Sequence, residues 1–520
     1  MAPPAAAAKP TAPQPAKPFP VAVLVALAVA ALIMLLPQPQ GLSVAGQRTL
    51  AILLFAVIVW LTEALDYAVS AVLIVALLAL ALGSAPAAQG AAAMGTAKGL
   101  GIALTGFANS ALALVAAALF LSVAMTATGL DRRIALQTLR QVGTSARGVM
   151  LGAVVVTVIL SLMVPSATAR VACVVPIMTG VIAAFGMERR SRFAAALMIV
   201  VAQATSIWNM GIMTSAAQNM LTLGFMHKTL GAAPSWGQWL LAGAPYALAM
   251  SVLLLVLVRR LMPPEKEQIE GGREAVQREL AALGPMRGAE WRVLAVVAAL
   301  IVLWVSEKQL HAIDTTTVTI CGLALLLLPK IGVMSWPQVQ KAVPWGTILV
   351  FGVGISLGTA LLDTKAATWL ADWVVQALRL EQLGPFGIFA ALSAFLIVIH
   401  VGFASATSLT SALIPILIAV LQRLGGDLNV AGMTMLLGFV VSFGFILPIN
   451  APQNMVCLGT ETFTSRDFTR VGLWLTALGY ALLLVFALTW WRFLGLMWLT
   501  TAVDYLVGRY LAAHEEDRPA

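Results

Sequence analysis

Apolar windows of about 17 to 25 residues recur along nearly the whole chain, each long enough to cross ~30 Å of hydrocarbon as a helix. No other feature limits the fold so strongly. A segment immersed in hydrocarbon must pair its own backbone N–H and C=O groups, which leaves helices and closed barrels, and runs of this length are helical. The clearest cores are 20–36, 50–61, 67–82, 110–127, 192–211, 239–258, 293–305, 315–328, 346–362, 432–448 and 471–489. Two more stretches, 148–186 and 385–421, are too long for one span and are interrupted in the middle. Composition agrees: only 10% of the 520 residues are charged and 60% are hydrophobic, against roughly 25% charged in soluble domains.

The loops give an orientation. Arg132, Arg133, Arg140 and Arg147 precede the first interrupted stretch, Arg189, Arg190 and Arg192 follow it, and 259–292 is a charged linker. Alternate loops hold isolated lysines, Lys98, Lys228 and Lys308. The excess of basic residues on cytoplasmic loops therefore places the first set, and the N-terminus, in the cytoplasm. Stretch 148–186 then enters and returns on one face, and 385–421 does so from the other. The net charge of +9 reflects this orientation and not a nucleic-acid surface. Residues 1–19, rich in proline and alanine, read as a disordered, retained tail. The three cysteines, Cys173, Cys321 and Cys457, lie singly in apolar segments and imply neither a disulfide nor a metal site.

The interrupted stretches resemble each other. "VPSATARVACVVPI" (164–177) and "FASATSLTSALIPI" (403–416) share Ser-Ala-Thr, at Ser166, Ala167 and Thr168 and again at Ser405, Ala406 and Thr407, with Pro-Ile at one offset. Farther on, Gln218-Asn219-Met220 recurs as Gln453-Asn454-Met455, and "TGLDRRIA" (128–135) has a weaker echo in "TKAATWLA" (364–371). Markers in one order indicate duplication. Entry from opposite faces makes the repeats inverted, an arrangement that builds a site near the bilayer midplane from discontinuous helices. A chain reversal there exposes backbone polar groups, and a helix starting at such a tip presents free N–H groups and positive dipole beside Ser and Thr hydroxyls. That chemistry suits an anion. Small residues also serve close helix packing; the duplication favours a binding site.

These residues carry a family resemblance. "WGTILVFGVGISLGTALLDTKAATWLA" (345–371), the paired tips, "TSAAQN" and "LPINAPQN…FTSRDFTRVGLWL" resemble the divalent anion:sodium symporter family, carriers of dicarboxylates, citrate and sulfate. The resemblance implies a homodimeric elevator-type transporter whose anion lies between two hairpin tips. It matches Ser166, Thr168, Ser405 and Thr407 to the tip hydroxyls, and Asn219, Pro452 and Asn454 to the unwound segments facing them. It further implies scaffold spans at 20–147 and 291–383, transport-domain halves at 148–260 and 384–490, a cytoplasmic linker at 261–290 and a C-terminal segment at 491–520. Two departures matter. Ala167 and Ala406 replace the middle asparagine of each tip, and Leu162 and Val401 stand where sodium-coupled members often carry a hydroxyl. The sodium sites look degraded, and the tips are closest to the citrate/succinate antiporter and plastid dicarboxylate translocator branch, which exchanges anions.

The chain therefore reads as an all-α polytopic membrane protein with about eleven transmembrane helices plus two re-entrant hairpins. Its expected substrate is a small divalent anion, first a dicarboxylate such as succinate, malate or tartrate with citrate, sulfate and sulfonates left open, carried by exchange across a bacterial inner membrane. Arg170, two residues past the first tip, is an intramembrane charge and so functional by default; it is expected at the substrate site, doing part of a coupling cation's work. His400 has no second histidine at metal spacing and reads as a hydrogen-bonded core residue. A protease would need His-Glu-x-x-His or an intramembrane aspartate pair, and a pump a phosphate-cradling Gly-x-x-x-x-Gly-Lys loop; neither occurs. No enzyme activity or cofactor is expected. A sodium-coupled symporter and an anion channel are the alternatives, separated by the coupling ion and by saturable exchange against unitary current.

Overall fold

The computed structural model describes residues 20–87, 92–142, 145–184, 186–266 and 272–498. The tail at 1–19 and most of the C-terminal segment, 499–520, lie outside the described residues, as do 267–271 of the linker. Among the described residues, nine helices are long and apolar enough to cross a membrane and six shorter ones are also apolar. Four of these form the arms of two hairpins, and the remainder are the eleven single spans. The first hairpin pairs Ala146–Met163 with Ala167–Ala184 through a tip at Val164 to Ser166. The second pairs Pro385–His400 with Ala406–Leu424 through Val401 to Ser405.

Two spans are broken. Arg192–Gly211 stops at Ile212, passes through a short turn at Met213–Ser215 and resumes as Ala217–Leu230. Val430–Val440 stops eight residues short of the expected end of its span, and the chain resumes as Pro452–Leu458. Hydropathy could not show this stop, because the irregular stretch is itself apolar and buried. Its carbonyls find partners inside the protein: Gln203 Nε2 donates to Phe445 O at 2.9 Å and Asn454 Nδ2 to Gly444 O at 3.0 Å. The chain packs closely at Gly444, where a Cβ would stand 3.2 Å from both Asn450 O and His400 Nε2.

The same device recurs at the other break. Asn219 Nδ2 donates to Asn209 O at 2.6 Å, and to Ile212 O and Met213 O at 3.2 Å each. Asn219 to Asn209 and Asn454 to Gly444 span the same sequence offset, so the duplicated Gln-Asn-Met motifs fold alike. The repeats also interlock. Ala217–Leu230 packs against the second hairpin's Ala406–Leu424, and Pro452–Leu458 against the first hairpin's Ala167–Ala184. Gln218 Nε2 donates to Ser442 Oγ at 3.2 Å, and Gln453 Nε2 to Ser206 Oγ at 3.0 Å, each reaching into the other repeat. Arg192–Gly211, buried from Phe193 onward, runs through the middle of this assembly.

Amphipathic helices join the spans to the hairpins. Leu130–Val142 packs on the first hairpin and Ala366–Ala377 on the second, which accounts for the weaker sequence echo between 128–135 and 364–371. The linker carries a helix, Gly272–Ala282. Arg133 fixes the chain after it, donating to Gly284 O at 2.9 Å and pairing with the buried Glu290 at 2.8 Å.

If the amides hold the breaks in shape, Asn219→Leu and Asn454→Leu each leave buried carbonyls unpaired, at a cost of about 1–3 kcal/mol. Thermal unfolding in detergent should fall by several degrees in both variants. Thr179→Val, which removes an exposed hydroxyl bonded only to Val175 O, should leave the midpoint unchanged.

Candidate functional site

The two tips and the two breaks meet at one cavity of about 770 Å³. Its wall contains the start of four helices: Ser166, Ala167 and Thr168; Ala216, Ala217 and Gln218; Ser405, Ala406 and Thr407; and Ala451, Pro452 and Gln453. Each trio is a cap residue followed by the first turn, where backbone N–H groups have no intrahelical partner; Pro452 alone among these positions has no N–H to offer. The caps are local in origin. Ser166 Oγ accepts from Ala169 N at 3.3 Å and Ser405 Oγ from Ser408 N at 3.4 Å. Tyr67, Ser122, Thr126, Asn209, Gln338 and Thr347 complete the polar lining.

No Asp, Glu, Lys, Arg or His belongs to that wall. The field inside comes from helix ends, hydroxyls and amides, all of which can donate to an anion. A dianion would meet donors and no carboxylate.

Seven of the ten expected residues line the cavity: Ser166, Ala167, Thr168, Ser405, Ala406, Thr407 and Pro452. Asn219, Asn454 and Arg170 do not. The two asparagines are wholly buried behind the wall, their amide nitrogens spent on backbone carbonyls. Their preceding neighbours, Gln218 and Gln453, reach the cavity instead. The sequence held that signal in the repeated Gln-Asn pair, but only the turn of the helix decides which of two adjacent side chains faces inward.

Arg170 is 1% exposed. Its Nη1 donates to Val164 O at 3.3 Å and Ser215 O at 3.2 Å, and its Nη2 to Asn209 Oδ1 at 2.5 Å. Asn209 lines the cavity, so the guanidinium stands one hydrogen bond behind the wall, bridging the tip to the broken span. At the second tip Asn450 Nδ2 donates to His400 O, Val401 O and Phe403 O at 3.0–3.1 Å. The His400 ring lies within that tip, its Nε2 3.4 Å from Asn450 O. Leu162 packs on the apolar core, and Val401 offers only its carbonyl.

A family profile described as "Sodium:sulfate symporter transmembrane region" matches residues 20–497. The chain belongs to this divalent anion:sodium symporter family. It is a polytopic membrane transporter and not an enzyme. A "Membrane protein" of Cupriavidus necator is 62% identical over 471 residues, covering 90% of this chain and 92% of that protein. The L-tartrate/succinate antiporter of Escherichia coli K12 is 28% identical over 482 residues, 90% of this chain and 97% of its own. The sodium-dependent dicarboxylate transporter SdcS of Staphylococcus saprophyticus is 24% identical over 479 residues, 87% and 88% of the two chains. In fold, this family member is similar to the solved structure of the Alcanivorax borkumensis YdaH transporter, with a TM-score of 0.54 at 15% identity over 81% of this chain and 97% of that one.

If both tips donate to one anion, Thr168→Val and Thr407→Val should each weaken transport strongly. A hydrogen bond to a charged group contributes about 1.5–3 kcal/mol, or about ten- to a hundred-fold in affinity. The check is substrate-dependent thermal stabilisation and uptake on purified variants; an unchanged apparent affinity in both would remove the two-tip site.

Proposed function

We propose that this chain is a secondary carrier of small dicarboxylates, such as succinate, malate or tartrate, exchanging one anion for another across a bacterial inner membrane. The observation that carries the reading is Arg170 in its cage of carbonyl and amide oxygens. Backbone carbonyls turned inward at a tip and at a helix break are what a small monovalent cation would use as ligands. Here a permanent guanidinium uses the oxygens of Val164, Ser215 and Asn209. A dianion near the midplane needs compensating positive charge, since an uncompensated one costs at least ~2.5 kcal/mol. Arg170 supplies it from behind the wall, through Asn209, in place of direct contact.

A fixed charge cannot leave with the substrate. An empty carrier therefore keeps an unpaired cation in its core, and its return across the membrane is slow. That penalty favours exchange. The anion named for the Escherichia coli relative, an L-tartrate/succinate antiporter, agrees in class with a cavity of donors at two facing tips. Uptake into proteoliposomes should require internal dicarboxylate, be unaffected by replacing sodium with potassium or choline, and be largely lost in Arg170→Ala. Vigorous uptake into anion-free vesicles driven by a sodium gradient alone would instead establish symport.

The motion we infer is an elevator, in a homodimer. Segments 148–260 and 384–490 move as one body, held together by the amide crosslinks between repeats, against a scaffold of 20–147 and 291–383. Trp345–Asp363 of the scaffold turns Gly354 and Gly358 toward Ser411 and Pro415 of the second hairpin's Ala406–Leu424. Small residues there give a smooth face for sliding. Cysteine pairs placed across this boundary should crosslink to different extents with and without succinate; identical crosslinking in both conditions would indicate a static pore.

A further inference from the structure

A second cavity, of about 960 Å³, continues from the first. The two share Thr126, Ala127, Ala169 and Ala172 in their walls. Unlike the first, it is lined by charge: Arg132, Arg278 and Arg287, with Asp131 and Glu279. It lies under the linker helix Gly272–Ala282, which packs on both Leu130–Val142 and the hairpin arm Ala167–Ala184.

The pairing of these charges is uneven. Glu279 is taken by Arg132 at 2.6 Å. Asp131 accepts from Thr126 Oγ1 at 3.0 Å and from Arg132 N at 2.7 Å. Neither Arg278 nor Arg287 makes a salt bridge with a carboxylate among the described residues: Arg278 Nε donates to Glu274 O at 3.4 Å and Arg287 Nη2 to Thr128 O at 3.5 Å, while Glu290, which Arg133 pairs, also feels the charge of Arg287. Two guanidinium forks therefore stand open in the approach to an uncharged, donor-lined cavity.

We propose that Arg278 and Arg287 form a second, transient binding site for dicarboxylates, which collects the anion at this face and hands it to the tips. The inference rests on the reading of the tips as a dicarboxylate site. Guanidinium groups pair with carboxylates in a forked geometry, and the arginines in this wall outnumber its two carboxylates, an excess of positive charge that raises the local concentration of anions. Both arginines are exposed, so the hold is weak and screened by salt. Weak binding suits a staging site, because the anion must leave it to travel inward.

Cys173 provides a local probe. It lines the same cavity, whereas Cys457 is buried and can be replaced together with Cys321. In full-length Cys321→Ser, Cys457→Ser protein in proteoliposomes, an anionic methanethiosulfonate should modify Cys173 faster, relative to a cationic one, than in the same protein carrying Arg278→Gln and Arg287→Gln. The ratio of rates should fall about three- to tenfold in the double-glutamine variant, most at low salt. Succinate counterflow measured from this face should show a similar rise in apparent KM and a flatter salt dependence, with KM from the opposite face unchanged. Arg278→Lys with Arg287→Lys, which keeps the charge, should retain most of the thiol ratio. If succinate is transported and neither the ratio nor the KM of this face responds to the glutamines, the vestibular site is overturned. If no dicarboxylate is transported but the thiol ratio shifts as stated, the reading of the tips fails while the vestibule remains an anion site.

Discussion

Every reversal of the chain inside the apolar interior leaves backbone groups without partners, and the fold depends on the side chains that take up the carbonyl half of them. Asn219 serves three carbonyls at one break and Asn450 three at the second tip, while Asn454 and Gln203 serve the other break. A buried carbonyl left unpaired costs about 1–3 kcal/mol, so these amides decide whether the breaks persist. Arg170 does the same at the first tip and brings a charge with it.

The asymmetry of this arrangement creates the site. The carbonyls are satisfied from behind, and the starts of four helices opposite them face the cavity. Rigid amide crosslinks between the repeats hold the four starts around one volume. Charge is kept out of the wall and placed one layer behind it. Such a layout presents donors to an anion without a permanent salt bridge, as the proposed exchange would require.

Much of this was legible from residue order. The long apolar runs gave the eleven spans, because 3.6-residue helices are the cheapest way to hide a backbone from hydrocarbon. The Ser-Ala-Thr repeat marked both tips as places where a helix begins, and each serine caps the helix that follows it. The expected span at 432–448, by contrast, ends as a helix at Val440, and Lys228, placed in a loop by the sequence, lies in the helix Ala217–Leu230. Hydropathy records burial, and a buried irregular stretch is as apolar as a buried helix. Arg170, Asn219 and Asn454 were expected among the lining residues and instead lie buried behind the cavity wall.

The sequence by itself determined the number of crossings, the two interruptions, the duplication and the chemistry available at each tip, since these follow from local composition and spacing. Tertiary structure alone decided which neighbour in each Gln-Asn pair faces the cavity and that the repeats trade partners across it. It also decided that Arg170 meets carbonyls and an amide in place of an acid, and that a charged vestibule lies under the linker helix. The reason is physical. A side chain's direction is set by helix phase and by what packs against it from hundreds of residues away, and neither is written in the local run of residues.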